Sequence, residues 1–363
     1  MSQYCPPDFS QSKYLDCPDC KFVPAPKDTC LPDGFMCTTN FPTYVKVQGE
    51  WRLPTEPRMD SHIVWDPATN SLKIAEFRCI RKGDLVAVAE AEDGSEGVLV
   101  WENGFVDATE STHEEAFGFM RSETSREKPI NYAKIFEAFE KNKGDKGHII
   151  WVVGPALVHA RGREALIWLI QNGFVHALLS GNAVAVHDIE AALFGSTLGM
   201  KADGSGEAGG HSFHMRAINA VKTAGSIEQL VAEGQLQSGI MHALTTQKIP
   251  YILAGSIRDD GPLPETITDA VEAQAEMRKH TTQATMVVMV ATALHSIAVG
   301  NMLPTFCMKE NGQIEEIVTI CVDQTEFLVS KLKDRGTHQA FGVVTNAQDF
   351  MRLLQLELQQ RQK

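Results

Sequence analysis

The chain has 363 residues, and its 43% hydrophobic and 22% charged content is that of a folded globular protein rather than a disordered one. Its formal net charge of −13 argues against nucleic acid as the main partner, because phosphate binding needs a basic surface. No apolar run is long enough to span a bilayer, and the N-terminus lacks the features of a signal peptide. By exclusion we expect a cytoplasmic protein with no membrane partner.

The first 37 residues are rich in Pro, Cys and Asp and show no hydrophobic period, so we interpret residues 1–37 as a Cys-rich arm without regular structure. Cys17 and Cys20 have the spacing of half a zinc site, but Cys30 and Cys37 lie seven positions apart with no His nearby. Cytoplasmic thiols stay reduced, so a disulfide framework is not expected. We therefore predict no metal site, with structural zinc as the alternative.

Short apolar runs separated by turn formers begin near residue 43 and are typical of closely spaced β-strands. The runs are residues 44–47, 62–65, 72–75, 85–88 and 98–101. Because no helical pattern separates them, residues 38–112 are predicted to form a small antiparallel or barrel-like subdomain. Residues 113–147 carry apolar and charged side chains at helical spacing and predict one or two connecting helices.

From His148 onward, continuous apolar runs alternate with helical segments such as residues 163–171. The six runs are residues 149–153, 177–180, 251–254, 286–290, 317–321 and 341–344. Continuous runs are typical of parallel strands covered on both faces, and their alternation with helices indicates βαβ units. We therefore predict that residues 148–363 form an α/β domain with a parallel, doubly wound sheet.

The residues that follow the six predicted strands are small or polar, and ligands of doubly wound sheets bind at these carboxyl ends. In chain order they are Gly154–Ala156, Gly181–Ala183, Gly255–Gly261, Thr292–Ser296, Asp323–Gln324 and Thr345–Ala347. Small residues let a backbone approach a pyrophosphate, and helix N-termini attract its charge. An Asp such as Asp323 can hold ribose hydroxyls, although at this place it can also cap a helix. Together, the six ends favour a nucleotide site.

Two further patterns carry less weight. Residues 204–209 match G-x-G-x-x-G, but that motif indicates a dinucleotide site only after a strand, and residues 198–203 have the composition of a loop. His211 and His214 lie three positions apart without a third ligand at suitable spacing. We interpret the first as a loop and the second as a pair of histidines at the start of a helix.

Several longer motifs resemble a single family. Residues 181–190 are similar to the central motif of archaeal-type ornithine cyclodeaminases and of the C-terminal region of bifunctional arginine dihydrolase/ornithine cyclodeaminases. Other segments that resemble this family are residues 34–35, 38–40, 58–60, 209–219, 254–264, 294–301 and 321–323. The resemblance covers residues 32–358.

The resemblance implies a small β-rich subdomain followed by an NAD-binding domain similar to that of deoxyhypusine synthase. It also implies conversion of L-ornithine to L-proline and ammonia, with NAD as a catalytic cofactor, and we expect a homo-oligomer. Carried over to matching positions, the NAD contacts would be Asn182, Ala183, Asp260, Thr292, Ala293, Leu294, His295, Asp323, Asn346 and Ala347. Most of these are the strand-end residues already noted.

The implied chemistry needs groups that bind the substrate carboxylate and amine, and a proton carrier. We assign Arg258 to the carboxylate, Asp188 or Asp259 to an amine, and His159 to proton transfer, because imidazole titrates near neutral pH. Structural roles compete with these assignments, since His159 could cap a turn and Asp188 could face solvent from a helix.

The chain departs from the family in two respects. A longer N-terminal module, related to a region of lysine-oxoglutarate reductase/saccharopine dehydrogenase, is missing or reduced to the Cys-rich arm. Ala160 and Arg161 stand where the family carries Thr and Gly, and an Arg beside the cofactor would alter substrate or cofactor preference. Two alternatives stay open, another NAD-dependent amino-acid or imine oxidoreductase and a non-catalytic NAD-sensing regulator.

Overall fold

The chain divides into two compact units in a computed structural model. The structure describes residues 3–102, 104–106, 130–144, 147–201, 204–259, 261–308, 312–333 and 340–363. One unit comprises Met1–Pro129 with Asn301–Ile317, and the other Ile130–Gly300 with Val318–Lys363. No helix within these described ranges is long and apolar enough to cross a bilayer.

The first unit is built from short antiparallel strands. Up to residue 106 the elements are β1 (Gln3–Tyr4), α1 (Ser12–Leu15), β2 (Lys21–Pro24), β3 (Thr43–Val47), β4 (Glu50–Arg52), β5 (His62–Asp66), β6 (Ser71–Ala75), β7 (Leu85–Val88), β8 (Val98–Val100) and β9 (Phe105–Val106). Within the described residues, β2–β7–β5–β6 and β4–β3–β8 are its larger sheets. Between β5 and β6, the Asp66 carboxylate accepts the Ala68 N–H and the Thr69 hydroxyl, as a turn requires. The predicted β-rich subdomain is confirmed.

The N-terminal arm is part of this unit, and the prediction that it lacks regular structure is wrong for β1, α1 and β2, the last of which pairs with β7. Lys46 on β3 holds the arm through hydrogen bonds. Its buried Nζ donates to the carbonyl oxygens of Tyr14 (3.2 Å), Leu15 (2.8 Å) and Cys17 (2.6 Å) at the end of α1. These carbonyls lie where a helix leaves acceptors unpaired, so the ammonium satisfies them.

All eight cysteines are free thiols. Cys20 is buried in the core of the first unit, and burial raises the pKa of its thiol to about 12. The Cys17 thiol donates to the Lys13 carbonyl at 2.8 Å. Among the residues that the structure describes, no group of three His, Cys, Asp or Glu side chains is arranged to hold a metal ion. Cys20 thus contributes to the packing of the first unit, and Cys17 makes a local hydrogen bond.

The second unit alternates strands and helices. From residue 130 onward the elements are α2 (Tyr132–Asn142), β10 (Ile149–Val153), α3 (Pro155–His159), α4 (Arg163–Gln171), β11 (Ala177–Gly181), α5 (Asn182–Phe194), β12 (Ser196–Thr197), β13 (Met200–Lys201), α6 (Phe213–Ala224), α7 (Ile227–Ala232), α8 (Ile240–Gln247), β14 (Tyr251–Ala254), β15 (Thr266–Ile267), α9 (Ala270–Thr281), β16 (Met286–Val290), α10 (Ala293–Met302), β17 (Phe306–Met308), β18 (Ile314–Glu316), β19 (Val318–Asp323), α11 (Glu326–Lys333), β20 (Ala340–Val344) and α12 (Ala347–Arg361). The predicted connecting helix corresponds to α2, and residues 113–129 lie outside the described part. The β17–β18 hairpin belongs to the first unit, where Thr305 Oγ1 donates to the Asn40 carbonyl.

The second unit is organised around one parallel sheet. Within the described residues its order is β15–β14–β11–β10–β16–β19–β20, and every neighbouring pair is parallel. The predicted α/β doubly wound fold is confirmed, and the six predicted runs correspond to β10, β11, β14, β16, β19 and β20. The central strands β10 and β16 are buried at every residue, which explains their continuous apolar sequences.

Three histidines lie around the N-terminal end of β10. The His148 ring stacks on that of His280 with centroids 5.8 Å apart, and lies 5.8 Å from the ring of His176. His176 accepts the Ile149 N–H at Nδ1 (2.9 Å) and donates from Nε2 to the Gly144 carbonyl (2.7 Å), which fixes its neutral tautomer. Burial, assisted by the two neighbouring imidazoles, lowers the pKa of His148 to about 4.

Lys46→Met should destabilise the first unit by about 1–3 kcal/mol, because three carbonyls at the end of α1 lose a charged donor. Urea denaturation followed by tryptophan fluorescence would measure this loss. Lys21→Met, at an exposed position of β2, is the matched control and should leave the midpoint nearly unchanged. Equal midpoints for Lys46→Met and the wild type would contradict the anchoring role.

Acid should destabilise the protein partly through His148. Its pKa is lower in the folded than in the unfolded chain, so the unfolded chain binds more protons and stability falls as the pH drops from about 6.5 to about 4. His148→Phe fills the same space without titrating. The melting temperature of this variant should therefore fall less than that of the wild type when the pH is lowered from about 7.5 to about 5. An identical loss would contradict this, and His211→Phe, at an exposed position, is the control.

Candidate functional site

The strand order of the sheet reverses between β10 and β16, and ligands of such sheets bind in the crevice outside these carboxyl ends. The two backbones approach closely here. A Cβ added to Gly154 would lie 1.9 Å from the Ala291 carbonyl oxygen. Ala291 itself has φ +55°, a left-handed conformation that costs energy for an L-residue and is often retained at functional sites. The switch point therefore has room for backbone but not for a side chain at position 154.

His295 lies over the neighbouring strand end. Its Nδ1 is 3.3 Å from Thr292 Oγ1, and its Cε1 would be 2.8 Å from a Cβ placed on Gly181, the last residue of β11. Burial lowers the pKa of His295, and the charge of Asp259 in the turn after β14 partly offsets that effect. Near pH 7 a neutral imidazole therefore lies where β11, β14 and β16 end.

Two helices start directly at this edge with a glycine as N-cap. Gly154 precedes α3 and Gly181 precedes α5, and neither helix has a side-chain hydrogen bond at its N-cap. The first N–H groups of a helix need an external partner, and their dipoles favour an anion. The beginning of α5 is therefore suited to a phosphate group.

Asp323 is the last residue of β19, as the strand-end prediction requires. Its Oδ1 accepts the Thr325 N–H at 2.9 Å and the Thr325 hydroxyl at 2.8 Å. Among the described residues, Oδ2 has no hydrogen-bond partner. The carboxylate thus holds its own turn with one oxygen and leaves the other for a ligand. On the adjacent strand end, Ala293 and Leu294 are exposed in the first turn of α10.

Three other predicted cofactor contacts serve the fold with their side chains. Asn182 is buried, and its Oδ1 accepts the Leu263 N–H (3.0 Å) and the Thr266 hydroxyl (2.9 Å). Asn346 caps α12 by accepting the Asp349 N–H at 2.8 Å, and Ala347 is buried. Two positions remain: Ala183 is half-buried in the first turn of α5, and Asp260 lies outside the described residues.

Asp188 lies in the interior, so the alternative that it faces solvent is wrong. It is fully buried, and its oxygens accept Arg163 Nε (2.7 Å), the Ile240 N–H (2.9 Å) and the Met241 N–H (2.8 Å). Burial raises its pKa, and these partners oppose that effect. The carboxylate joins α4 and α5 to the N-terminus of α8. Because both oxygens are engaged in these three bonds and the side chain is fully buried, a substrate amine does not reach it.

Arg258 and Asp259 lie together in the turn after β14. Asp259 Oδ2 accepts the Ser256 N–H at 2.7 Å, which closes the turn. Arg258 is exposed and has no ion-pair partner among the residues that the structure describes. An exposed guanidinium that is not already in an ion pair can bind a carboxylate through two parallel hydrogen bonds.

His159 ends α3 and contacts a group that the sequence interpretation did not single out. Its ring centroid lies 4.7 Å from that of His187, whose Nδ1 is 3.0 Å from Glu190 Oε2. Burial and the charge of His187 lower the pKa of His159, while Glu190 opposes this. In the sequence, the pairing of His187 with Glu190 is indicated only by their i,i+3 spacing in a helical segment. That spacing does not indicate that His159 lies next to them.

Two family models match the chain: an arginine dihydrolase ArgZ-like C-terminal Rossmann fold over residues 133–354, and the first region of the same C-terminal part over residues 42–133. The ornithine cyclodeaminase of Methanopyrus kandleri is 43% identical over 341 residues, covering 93% of this chain and 78% of that protein.

Solved structures agree with these matches. A LOR/SDH protein of Methanococcus maripaludis S2 has a TM-score of 0.84 at 40% identity, covering 95% of this chain and 100% of that one. The ternary complex with ornithine and NAD+ of AgrE, a bifunctional arginine dihydrolase/ornithine cyclodeaminase of a Nostoc species, has a TM-score of 0.59 at 34% identity. It covers 95% of this chain and 46% of that one. The chain therefore belongs to the ornithine cyclodeaminase family, which includes the C-terminal region of the ArgZ-like proteins.

Proposed function

We propose that this protein converts L-ornithine to L-proline and ammonia, with NAD as a catalytic cofactor at the carboxyl edge of the parallel sheet. The observation that carries the proposal is a convergence at one sheet edge. The switch point, the uncapped start of α5 and the open oxygen of Asp323 coincide with the positions that the family resemblance assigns to NAD. The relative named ornithine cyclodeaminase and the AgrE complex with ornithine and NAD+ support the same assignment.

The residues at this edge fit a dinucleotide. At Gly154 a side chain would collide with the Ala291 carbonyl, and at Gly181 it would meet His295, so glycine at both positions lets the strand ends and His295 pack closely beside the place where a pyrophosphate would lie. The first N–H groups of α5 would bind that pyrophosphate, and Asp323 Oδ2 would accept a ribose hydroxyl. The exposed side chain of Leu294 offers an apolar contact near the same edge.

The reaction makes one C–N bond and breaks another. The side-chain nitrogen of ornithine bonds to Cα and the α-amino group leaves as ammonia, so the substrate is neither oxidised nor reduced overall. Bound NAD supplies a hydride acceptor that is restored at the end of each turnover. Since the net change consumes no oxidant, the protein must keep the cofactor in place throughout.

The chain itself supplies substrate binding and proton transfer. Arg258 binds the ornithine carboxylate, and the half-buried Asp259 attracts an ammonium group beside it. His159 removes a proton from the substrate amine, since its lowered pKa keeps the imidazole neutral near pH 7. We leave Asp188 out of this set because it is fully buried and both of its oxygens accept hydrogen bonds in the interior.

Asp323→Ala should weaken NAD binding by about 1–3 kcal/mol, because a charge-assisted hydrogen bond to a ribose hydroxyl is lost. Isothermal titration calorimetry would measure the change. Asp93→Ala is the matched control, because Asp93 in the first unit makes the same two bonds to its i+2 neighbour, Ser95 (2.9 and 2.6 Å). Unchanged affinity in Asp323→Ala would move the ribose away from the end of β19.

Ornithine deuterated at Cα should give proline that still carries deuterium at that carbon, because the hydride returns to the atom it left. Mass spectrometry of proline formed by cofactor-stripped protein with added NAD would show this. NADH that accumulates in proportion to ornithine consumed would indicate an ordinary dehydrogenase instead. Proline formed without NAD would refute the mechanism. NAD binding with no product from a panel of amino acids would indicate a regulator.

A further inference from the structure

We propose that His187 and Glu190 are positioning residues for His159, and that the three side chains form a carboxylate–imidazole–imidazole relay between α5 and α3. The proposal rests on the proposed function, in which His159 carries the proton. It concerns two residues that neither the strand-end pattern nor the family resemblance assigned to the site.

Glu190 is the fixed end of the relay. The residue is fully buried, its Oε1 accepts the Gly199 N–H at 3.1 Å, and its Oε2 lies 3.0 Å from His187 Nδ1. Burial opposes its ionisation, but hydrogen bonds from His187 and from the backbone of Leu198 and Gly199 outweigh burial and lower its pKa. An ionised carboxylate at this distance keeps a proton on Nδ1 of His187.

His187 and His159 are in direct contact. Their centroids are 4.7 Å apart and their planes are inclined at 60°, so a charge on one ring disfavours a charge on the other. Burial and this contact together lower the pKa of His159, which favours the neutral ring that can accept a proton. His187 also packs against the His159 ring, and this contact limits the orientation of the His159 ring.

A purely structural role explains only half of the arrangement. The hydrogen bond from Gly199 to Glu190 anchors the turn between β12 and β13, where Leu198 has φ +51°. That anchor does not need His187. The contact of His187 with both Glu190 and His159 is accounted for when the carboxylate acts through one imidazole on the other.

Other titratable or charged groups lie on the elements that pack against α3 and α5. They are His214, Arg216 and Lys222 on α6, Lys201 and Glu207 at the β12–β13 hairpin, His242 on α8, Tyr251 on β14, and Asp349, Arg352, Glu357 and Arg361 on α12. Lys201 pairs with Glu207, and on α5 itself Asp188 pairs with Arg163. The groups that shift the pKa of His159 are His187 and Glu190.

The test is an NMR titration of the full chain with labelled histidine, in which the His159 signal is identified by its loss in His159→Gln. His187→Phe keeps the ring packing but removes the imidazole charge, so the His159 midpoint should move to higher pH. His242→Phe, a half-buried His on α8, is the matched control and should leave that midpoint unchanged. An unchanged midpoint in His187→Phe would overturn the relay.

Activity provides the second readout. In His187→Phe the acid limb of the pH profile of kcat/KM for proline formation should also move to higher pH. The rate at about pH 5.5 divided by the rate at about pH 7.5 should then fall roughly threefold. His187→Gln keeps a donor for Glu190 and should behave alike, which covers the case that the Phe variant does not fold. Wild-type protein that forms no proline would overturn the proposed function, and the titration would still decide whether His187 controls His159.

Discussion

One buried ion pair determines how the candidate site is assembled. Asp188 accepts Arg163 Nε and two N–H groups at the N-terminus of α8, so a fully buried charge has both a cationic partner and a helix dipole. Such pairing offsets the cost of removing a carboxylate from water, and breaking it leaves an uncompensated charge. This contact joins α5 to α4 and α8. On the same helix, Asn182 accepts hydrogen bonds from Leu263 and Thr266, and His187 contacts His159 of α3.

Much of the fold was predictable, because a parallel strand that is buried on both faces has a continuous apolar sequence. β15 was missed because two residues, Thr266–Ile267, cannot show a pattern, and β2 was missed because Pro and Cys concealed a strand whose partner lies far along the chain. At the site, the strand ends were predictable from topology. The contacts between helices were not predictable. The spacing of His187 and Glu190 along α5 does not show that His187 meets His159, and the sequence around Asp188 does not show its partners on α4 and α8.

The polar residues at the sheet edge combine structural and ligand-binding duties. Asn182 and Asn346 use their side-chain oxygens to hold a loop and a helix start, whereas Asp323 commits one oxygen and leaves the other available. A ligand at this edge therefore meets groups whose orientation is already fixed by hydrogen bonds to the protein. Such preorganisation reduces the entropy lost on binding.

The first unit is discontinuous in sequence, and this affects the order in which the protein is completed during synthesis. The β17–β18 hairpin and the contact of Thr305 with Asn40 come from Asn301–Ile317, which leaves the ribosome after β10, β11, β14 and β16. Nascent chains usually fold domain by domain from the N-terminus. Here the strands nearest the N-terminus cannot complete their unit until the hairpin has been made, and by then most of the parallel sheet has been synthesised, so the first unit is completed only shortly before the second.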